Sequence, residues 1–189
     1  MDTLEILRGI LGLYMSSERL RDQLQQFHTT EHTEPTTKIY SDAVYTNYFD
    51  LGMSIMYVPK ADYRPRTGIA LDHDKLELRN VDIYNFKEKG GGKKQSYAAF
   101  AHLPLFVGGP DDKTLKLDKD TTGKEIVDAL GEPSRKGGGD GPSGGSIGIW
   151  CEWSNLGLMF EFESRGPQAW EMGKDSTWNT VTIFAPEQA

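Results

Sequence analysis

The sequence predicts an α+β protein: an antiparallel sheet from two helix–strand–strand–strand repeats, with helices packed on one face. Three observations predict it. Two similarly patterned hairpin signals, "FDLGMSIMY" at residues 49–57 and "SNLGLMFEF" at residues 154–162, place a Leu-Gly pair between alternating apolar residues. Leu51-Gly52 falls on Leu156-Gly157, 105 positions later; at the same spacing Tyr48 meets Trp153, Met53 meets Leu158, Ile55 meets Phe160 and Tyr57 meets Phe162. Helical periodicity precedes each hairpin, and "VDIYN" at 81–85 returns as "VTIFA" at 181–185, 100 positions on. The five-residue difference falls in a connecting loop, where changes in length are thermodynamically cheap. One helix on three strands buries too little apolar surface to stand alone, so two such units are expected to share one larger sheet.

Taken in order, residues 1–28 form an N-terminal helical region. Leu4, Leu7, Ile10, Leu11 and Tyr14, then Leu20, Leu24 and Phe27, recur at spacings of three and four. Gly9, Gly12 and Ser16-Ser17 weaken a continuous helix, leaving one helix or two, with Ser17 as a candidate N-cap. "HTTEHTEPTT" closes this region. Residues 37–88 carry the first-repeat strands. Met53, Ile55 and Tyr57 alternate with Ser54 and Met56, and "LELRNVDIYNF" offers Leu76, Leu78, Val81 and Ile83. "KEKGGGKKQ" reads as an exposed turn, and "SYAAFAHLPLFV" as a strand or a short helix ahead of Pro104.

Residues 120–186 form the second repeat within what reads as a single domain, 1–189. "DTTGKEIVDALGEP" is a signposted helix: Thr122 and Glu125 match a capping box, Ile126, Val127 and Leu130 supply a buried face, Gly131 suits the position just past the end, and Pro133 forbids continuation. "RKGGGDGPSGGS" reads as a glycine-rich connection without fixed structure. Three strands follow. In "IGIWCEW", Ile147, Ile149, Cys151 and Trp153 share a face; in "LGLMFEFE", Leu156, Leu158, Phe160 and Phe162 do so; "WNTVTIFAP" is the last.

The 189 residues, 37% hydrophobic and 11% aromatic, describe an ordinary globular chain. A net charge of −7 repels phosphate backbones and argues against nucleic-acid binding. The single cysteine, Cys151, has no disulfide partner within the chain, as suits a reducing compartment. "MDTLEILRGILGLYM" lacks the basic opening and unbroken apolar run of a secretion signal, and no stretch approaches about eighteen apolar residues. The expectation is a soluble cytoplasmic protein.

"T-x-x-E-I-V-x-x-L-G-E-P" at 122–133, "W-x-x-L-G-L-x-F-x-F" at 153–162 and "V-T-I-F" at 181–184 together resemble the tandem-repeat domains of the β-lactamase-inhibitor-protein-like class. "LGEPSRKGGG" at 130–139, a strand with Trp150 and then "LGLMFEF" also look like the phagophore assembly factor family, with "LELRNVDIYN" and "YAAFAHLPLFVGG" fitting loosely. The resemblance covers mainly residues 120–185. It implies binding to protein partners and, for the second family, peripheral association with membranes; it supplies no catalytic residues.

Each chemical motif has a plainer explanation. "HTTEH" at 28–32 matches H-x-x-E-H, but that pattern needs a helix, and threonines and Pro35 oppose one here. "DHD" at 72–74 offers two carboxylates and no further ligands to complete a cation site. "KGGGDGPSGG" follows a helix and precedes a strand, the reverse of a phosphate-binding loop. Cys151 alternates with core residues and has no His beside it in sequence. No metal or cofactor is expected. Trp150, out of phase with its strand's apolar face, and Trp170, in the loop "SRGPQAWEMGKDS", stand out as interface anchors. The expectation is a non-enzymatic protein-binding or scaffold module. Its surface would be an open sheet face bearing Trp150, Met159 and Glu161, a Trp170 loop, and Arg135 and Lys136 as an anionic contact. The alternatives are a small-molecule or lipid-headgroup binder with a pocket between sheet and helices, and a hydrolase of unfamiliar type using His73 or His102.

Overall fold

The computed structural model describes residues 2–27, 34–86, 97–140, 146–164, 166 and 168–187. Its class is α+β: among these residues, eight strands belong to one antiparallel sheet, two form a separate ribbon, and four helices accompany them. None of these helices is long and apolar enough to cross a membrane. "HTTEH", "KEKGGGKKQ" and residues 141–145 lie outside the described residues. The chain divides into two compact units, one formed by residues 5–101 with 183–185 and the other by 102–182 with 2–4 and 186–189.

The helical region resolves into two helices, α1 (Thr3–Gly9) and α2 (Glu18–Gln25). The break has a local cause. Gly12 turns the backbone at φ +77°, a conformation that costs glycine nothing. Its N–H then donates to Leu78 O (2.9 Å) and Met15 N–H to Leu76 O (2.8 Å), so a second helix must start afresh. It starts at Ser17, whose hydroxyl accepts from Leu20 N–H. Strands β1 (Thr36–Ile39), β2 (Val44–Tyr48), β3 (Met53–Pro59) and β4 (Leu76–Tyr84) follow as an antiparallel meander.

The β2–β3 hairpin closes on Leu51-Gly52, with Tyr48 opposite Met53. Gly52 sits at φ +67° and its N–H reaches Phe49 O (3.2 Å). A Cβ there would also lie 2.4 Å from Ala98 O, so glycine is required twice over. In β4 both Leu76, Leu78 and Val81, Ile83 are buried, although the pairs are out of phase. A β-bulge reconciles them: Tyr57 faces Leu78 and Met56 faces Asn80, so Arg79 is the extra residue that turns the alternation over.

The second unit opens with the ribbon of β5 (Leu105–Gly108) and β6 (Thr114–Leu117), so the strand in "SYAAFAHLPLFV" is confined to its end. Helix α3 (Gly123–Leu130) carries the full capping box: Thr122 Oγ1 accepts from Glu125 N–H, and Glu125 Oε2 accepts from Thr122 N–H (2.8 Å). Gly131 ends it at φ +78°. Then come β7 (Arg135–Asp140), β8 (Ser146–Trp153), β9 (Leu158–Phe162), α4 (Ala169–Gly173) and β10 (Trp178–Phe184). The β8–β9 hairpin places Trp153 opposite Leu158, and Gly157 (φ +64°) donates to Ser154 O (3.2 Å). Leu156 lies in this turn, not on the strand face expected for it.

Residues 135–140 correct the reading of a structureless glycine connection, because they form β7 against β8. The glycines are what allow it. A Cβ on Gly137 would strike the Trp150 indole at 2.6 Å, and one on Gly138 would lie 2.2 Å from Gly148 O. The register shifts between Gly137 and Gly139, with Gly138 as a bulge at φ +88°. Trp153 and Trp178 are fully buried, and each satisfies its indole N–H on a backbone carbonyl: Trp153 on Gly131 O (3.1 Å) and Trp178 on Asp118 O (2.9 Å).

Candidate functional site

Strand alternation divides the six expected site residues between two faces. In β8, Trp150 and Cys151 point to opposite sides, and their partners in β7 and β9 follow them. One face carries Arg135, Trp150, Met159 and Glu161. The indole of Trp150 lies over Gly137, with the Arg135 guanidinium 6.0 Å from the ring centroid. Arg135 Nη1 reaches Glu152 Oε1 at 3.7 Å, and Glu152 also accepts from Ser154 Oγ (2.6 Å). Trp150 and Met159 are half-buried and Glu161 is exposed.

The opposite face carries Lys136 and Trp170. Trp170 lies in α4, not in the loop its flanking Gly and Pro suggested; it is 41% exposed, and Met172 on the same helix is 59% exposed. The expected single surface, uniting the Trp150 face with Trp170, is therefore two surfaces. The sequence marks the alternation, but which side a returning segment covers is decided by packing. Here Gly173 packs directly on Ile149: a Cβ there would lie 2.2 Å from Ile149 Cδ1, so a larger residue would have to push that side-chain end aside. Gly123 is closely packed at the start of α3, where a Cβ would meet Gly173 O at 2.6 Å and Phe162 at 3.2 Å.

Between α3, α4 and β7–β9 lies a cleft of about 260 Å³. Ile149, Cys151 and Phe162 are its sheet side, and Val127, Pro133 and Trp170 add apolar walls. Lys124 and Lys174 meet at the start of α3, where Lys124 N–H donates to Lys174 O (2.9 Å); Asp128 and Glu132 line the other end. Lys136 Nζ stands 5.8 Å from the Trp170 ring centroid. Among the described residues, none of the three lysines is ion-paired. The first amides of α3 are taken: Gly123 N–H by Ser176 O, Lys124 N–H by Lys174 O and Glu125 N–H by Thr122 Oγ1. Anion recognition here would therefore come from lysine side chains and not from the helix end.

Val127, expected in the core with Ile126 and Leu130, is half-buried because it faces this cleft. Its spacing from Lys124 and its neighbour Asp128 mark a second helix face that sequence reading passed over. Lys124 and Lys174 were missed likewise, since isolated lysines carry no local signal. Cys151 is buried, and burial pushes its thiol up, with Lys136 offsetting part of the effect and Glu132 adding to it. It is an apolar wall group, not an activated nucleophile.

The residues proposed for hydrolysis do not come together with either this cleft or the second one described below: His73 and His102 line neither. Residues 73–75 form a short 3₁₀ turn, and Asp72 pairs with Lys75 (3.3 Å). Among the described residues no three His, Cys, Asp or Glu side chains are placed to hold a metal ion. No protein-family model, curated protein or solved structure matches the chain.

Proposed function

We propose that the protein is a non-enzymatic protein-binding module whose second unit grips a short partner segment: one large apolar side chain in the α3–α4 cleft, with an acidic residue at the Lys124–Lys174 end. The observation that carries this reading is the combination of apolar walls with three lysines that have no carboxylate partner of their own among the described residues. Desolvated aromatic and aliphatic anchors provide most of the energy of such contacts, and flanking charges provide orientation and rate. A small amphipathic anion would use the same groups. Trp170, which lines the cleft and is 41% exposed, favours an extended partner because its ring carries apolar surface from the cleft out to solvent.

We further infer that the two units are copies of one ancestral element. Each carries a helix and four strands where three were expected: α2 with β1–β4, and α3 with β7–β9 followed, after α4, by β10. The hairpin registers agree at the 105-residue spacing, Tyr48 with Met53 and Trp153 with Leu158. Both turns end on a left-handed glycine that donates to the carbonyl three residues back at 3.2 Å. The resemblance to β-lactamase-inhibitor-protein-like domains, which rests on the motifs at 122–133, 153–162 and 181–184, implies a tandem repeat of the same kind.

Selection from a random displayed peptide library tests the binding site. The expected motif is one large apolar residue with an acid to one side, lost on Val127→Trp, which fills the cleft, and weakened by Lys174→Glu. Failure to enrich any motif, or enriched peptides that bind the Val127→Trp variant as well as the original, would refute the reading.

A further inference from the structure

The first unit has a cleft of its own, chemically unlike the one in the second. Cross-strand pairing sets Lys38 opposite Tyr45, Asn47 opposite Ser54 and Ser54 opposite Asp82, which brings these side chains to one face of β1–β4. Val44, Ile55 and Val81 fill the other face and are fully buried. Tyr97 is brought in by main-chain bonds on either side of the strands: Ala98 N–H donates to Phe49 O (2.9 Å) and Phe100 N–H to Tyr84 O (2.8 Å). The resulting cleft is about 410 Å³, and four of its lining residues are tyrosines: Tyr40, Tyr45, Tyr84 and Tyr97. Its one aliphatic lining residue is Ala43. We propose that this cleft is a binding site for a neutral, hydroxyl-rich ligand of the saccharide class.

The first reason is how the rings are used. Tyr84 and Tyr97 stack on each other at 3.8 Å between centroids; Tyr97 also meets Phe49 at 4.6 Å and Tyr84 meets Phe86 at 5.4 Å. Each inner ring thus already has two aromatic neighbours, and its capacity to stack a planar heterocycle is spent inside the protein. What these rings offer the cleft is hydroxyl groups. Ring faces come instead from Tyr40 and Tyr45, arranged edge to face at 5.9 Å, and Tyr40 is 54% exposed. A sugar suits that arrangement: its C–H face lies against an aromatic ring and its hydroxyls reach the polar groups.

The second reason is the pattern of donors and acceptors. Ser54 Oγ and Tyr84 OH share a hydrogen bond (3.2 Å) in which either can donate. Tyr97 OH donates to Asn47 Oδ1 (2.5 Å), and Asn47 Nδ2 donates to Thr36 O (3.1 Å). Ser54 Oγ also donates to Asp82 Oδ2 (3.5 Å), which leaves Tyr84 as the donor to Ser54, so the three hydroxyl protons are used within the network while hydroxyl lone pairs and the second Asn47 N–H stay open. Open lone pairs beside an amide N–H and the Lys38 ammonium are met by ligand hydroxyls, which donate to the first and accept from the others.

The third reason is charge. Lys38 and Asp42 both line the cleft, and among the described residues neither is ion-paired. An anionic ligand would meet Asp42, with Asp82 close behind; a cation would meet Lys38. A neutral ligand can use one as a triple donor and the other as an acceptor.

Amide-resolved NMR titration tests this with methyl α-glucoside, methyl β-galactoside, methyl α-mannoside, N-acetylglucosamine, lactose and cellobiose. Inorganic phosphate and adenosine monophosphate serve as anionic and planar competitors. At about 20 mM a ligand of roughly millimolar affinity saturates the site. The expected result is that at least one sugar shifts signals across residues 38–54 and at Tyr84. Tyr40→Ala and Asp42→Ala, both at exposed positions, should each weaken that binding at least tenfold with the melting temperature unchanged. No shift from any sugar, shifts confined to other residues, binding untouched by both variants, or tighter binding of phosphate or the nucleotide would each overturn the proposal.

Discussion

Gly138→Ala should be among the most damaging single-methyl additions in the protein, although it lies in a run of glycines that reads as a passive connection. Two separable costs arise. The first is conformational: at φ +88° a residue with a Cβ is held in a region that costs of order 1–3 kcal/mol. The second is steric. The new Cβ would lie 2.2 Å from Gly148 O and 2.8 Å from Ile149 Cα, both backbone atoms of the facing strand, so the β7–β8 ladder must open locally. Losing a ladder hydrogen bond adds roughly 0.5–1.5 kcal/mol. The sum is about 2–4 kcal/mol, or a fall in Tm of roughly 5–15 °C for a chain of this size. Gly166→Ala separates the two costs: its φ of +86° is nearly the same, yet no heavy atom comes within 4 Å of the added Cβ. All four tryptophans, Trp150, Trp153, Trp170 and Trp178, belong to the second unit, so intrinsic fluorescence follows the unit in which both glycines lie. Melts of the two variants by fluorescence should differ by at least about 1 kcal/mol. Equal losses would show that β7 yields freely and that its glycines are not held by the facing strand.

Three further perturbations follow from particular contacts. Thr122→Ala removes half of the capping box and should cost about 1 kcal/mol, read as a drop in Tm of roughly 2–4 °C. Glu125 is held below its ordinary pKa of 4.5 by the Thr122 N–H and then the Thr122 hydroxyl. A depressed folded pKa contributes stability above the unfolded value and loses it as pH falls through the folded one, so Glu125→Gln should be less stable than the original protein at pH 7, with the gap closing on acidification below 4.5; a pH-independent gap would contradict this. Cys151, raised by burial and eased by Lys136, should react slowly with a disulfide reagent at pH 7 and faster as pH rises, and Lys136→Glu should slow it further; faster labelling in that variant would show that the lysine does not act on the thiol.

What the sequence made legible is what local chemistry decides. The capping box of α3, its glycine end and its proline stop each act within about one turn of the residue that causes them, and all three stand where the pattern placed them. The Leu-Gly hairpins were legible for the same reason: alternation fixes a strand's face, and a left-handed glycine fixes the turn between two strands. Even the phase break between Leu78 and Val81 was printed in the chain, as a bulge waiting for Arg79 to be named. The failures share a cause as well. Gly137 and Gly138 look like slack until Trp150 and Gly148 occupy the space their missing side chains leave, and those partners are ten and more residues away. Trp170 looked like a loop residue because the helix that carries it has five residues, too few to show a period. It could not be assigned to the face opposite Trp150 until Gly173 met Ile149. The clefts were hidden for the same reason. Each gathers residues that are unremarkable singly, Val127 with Lys124 and Lys174 in one unit and four tyrosines with Asn47 and Ser54 in the other, and cross-strand register and helix packing bring them together. Binding chemistry in this protein therefore depends on which side of a strand a residue takes, so a one-residue slip in β8 would carry Cys151 away from the second-unit cleft and put Trp150 in its place.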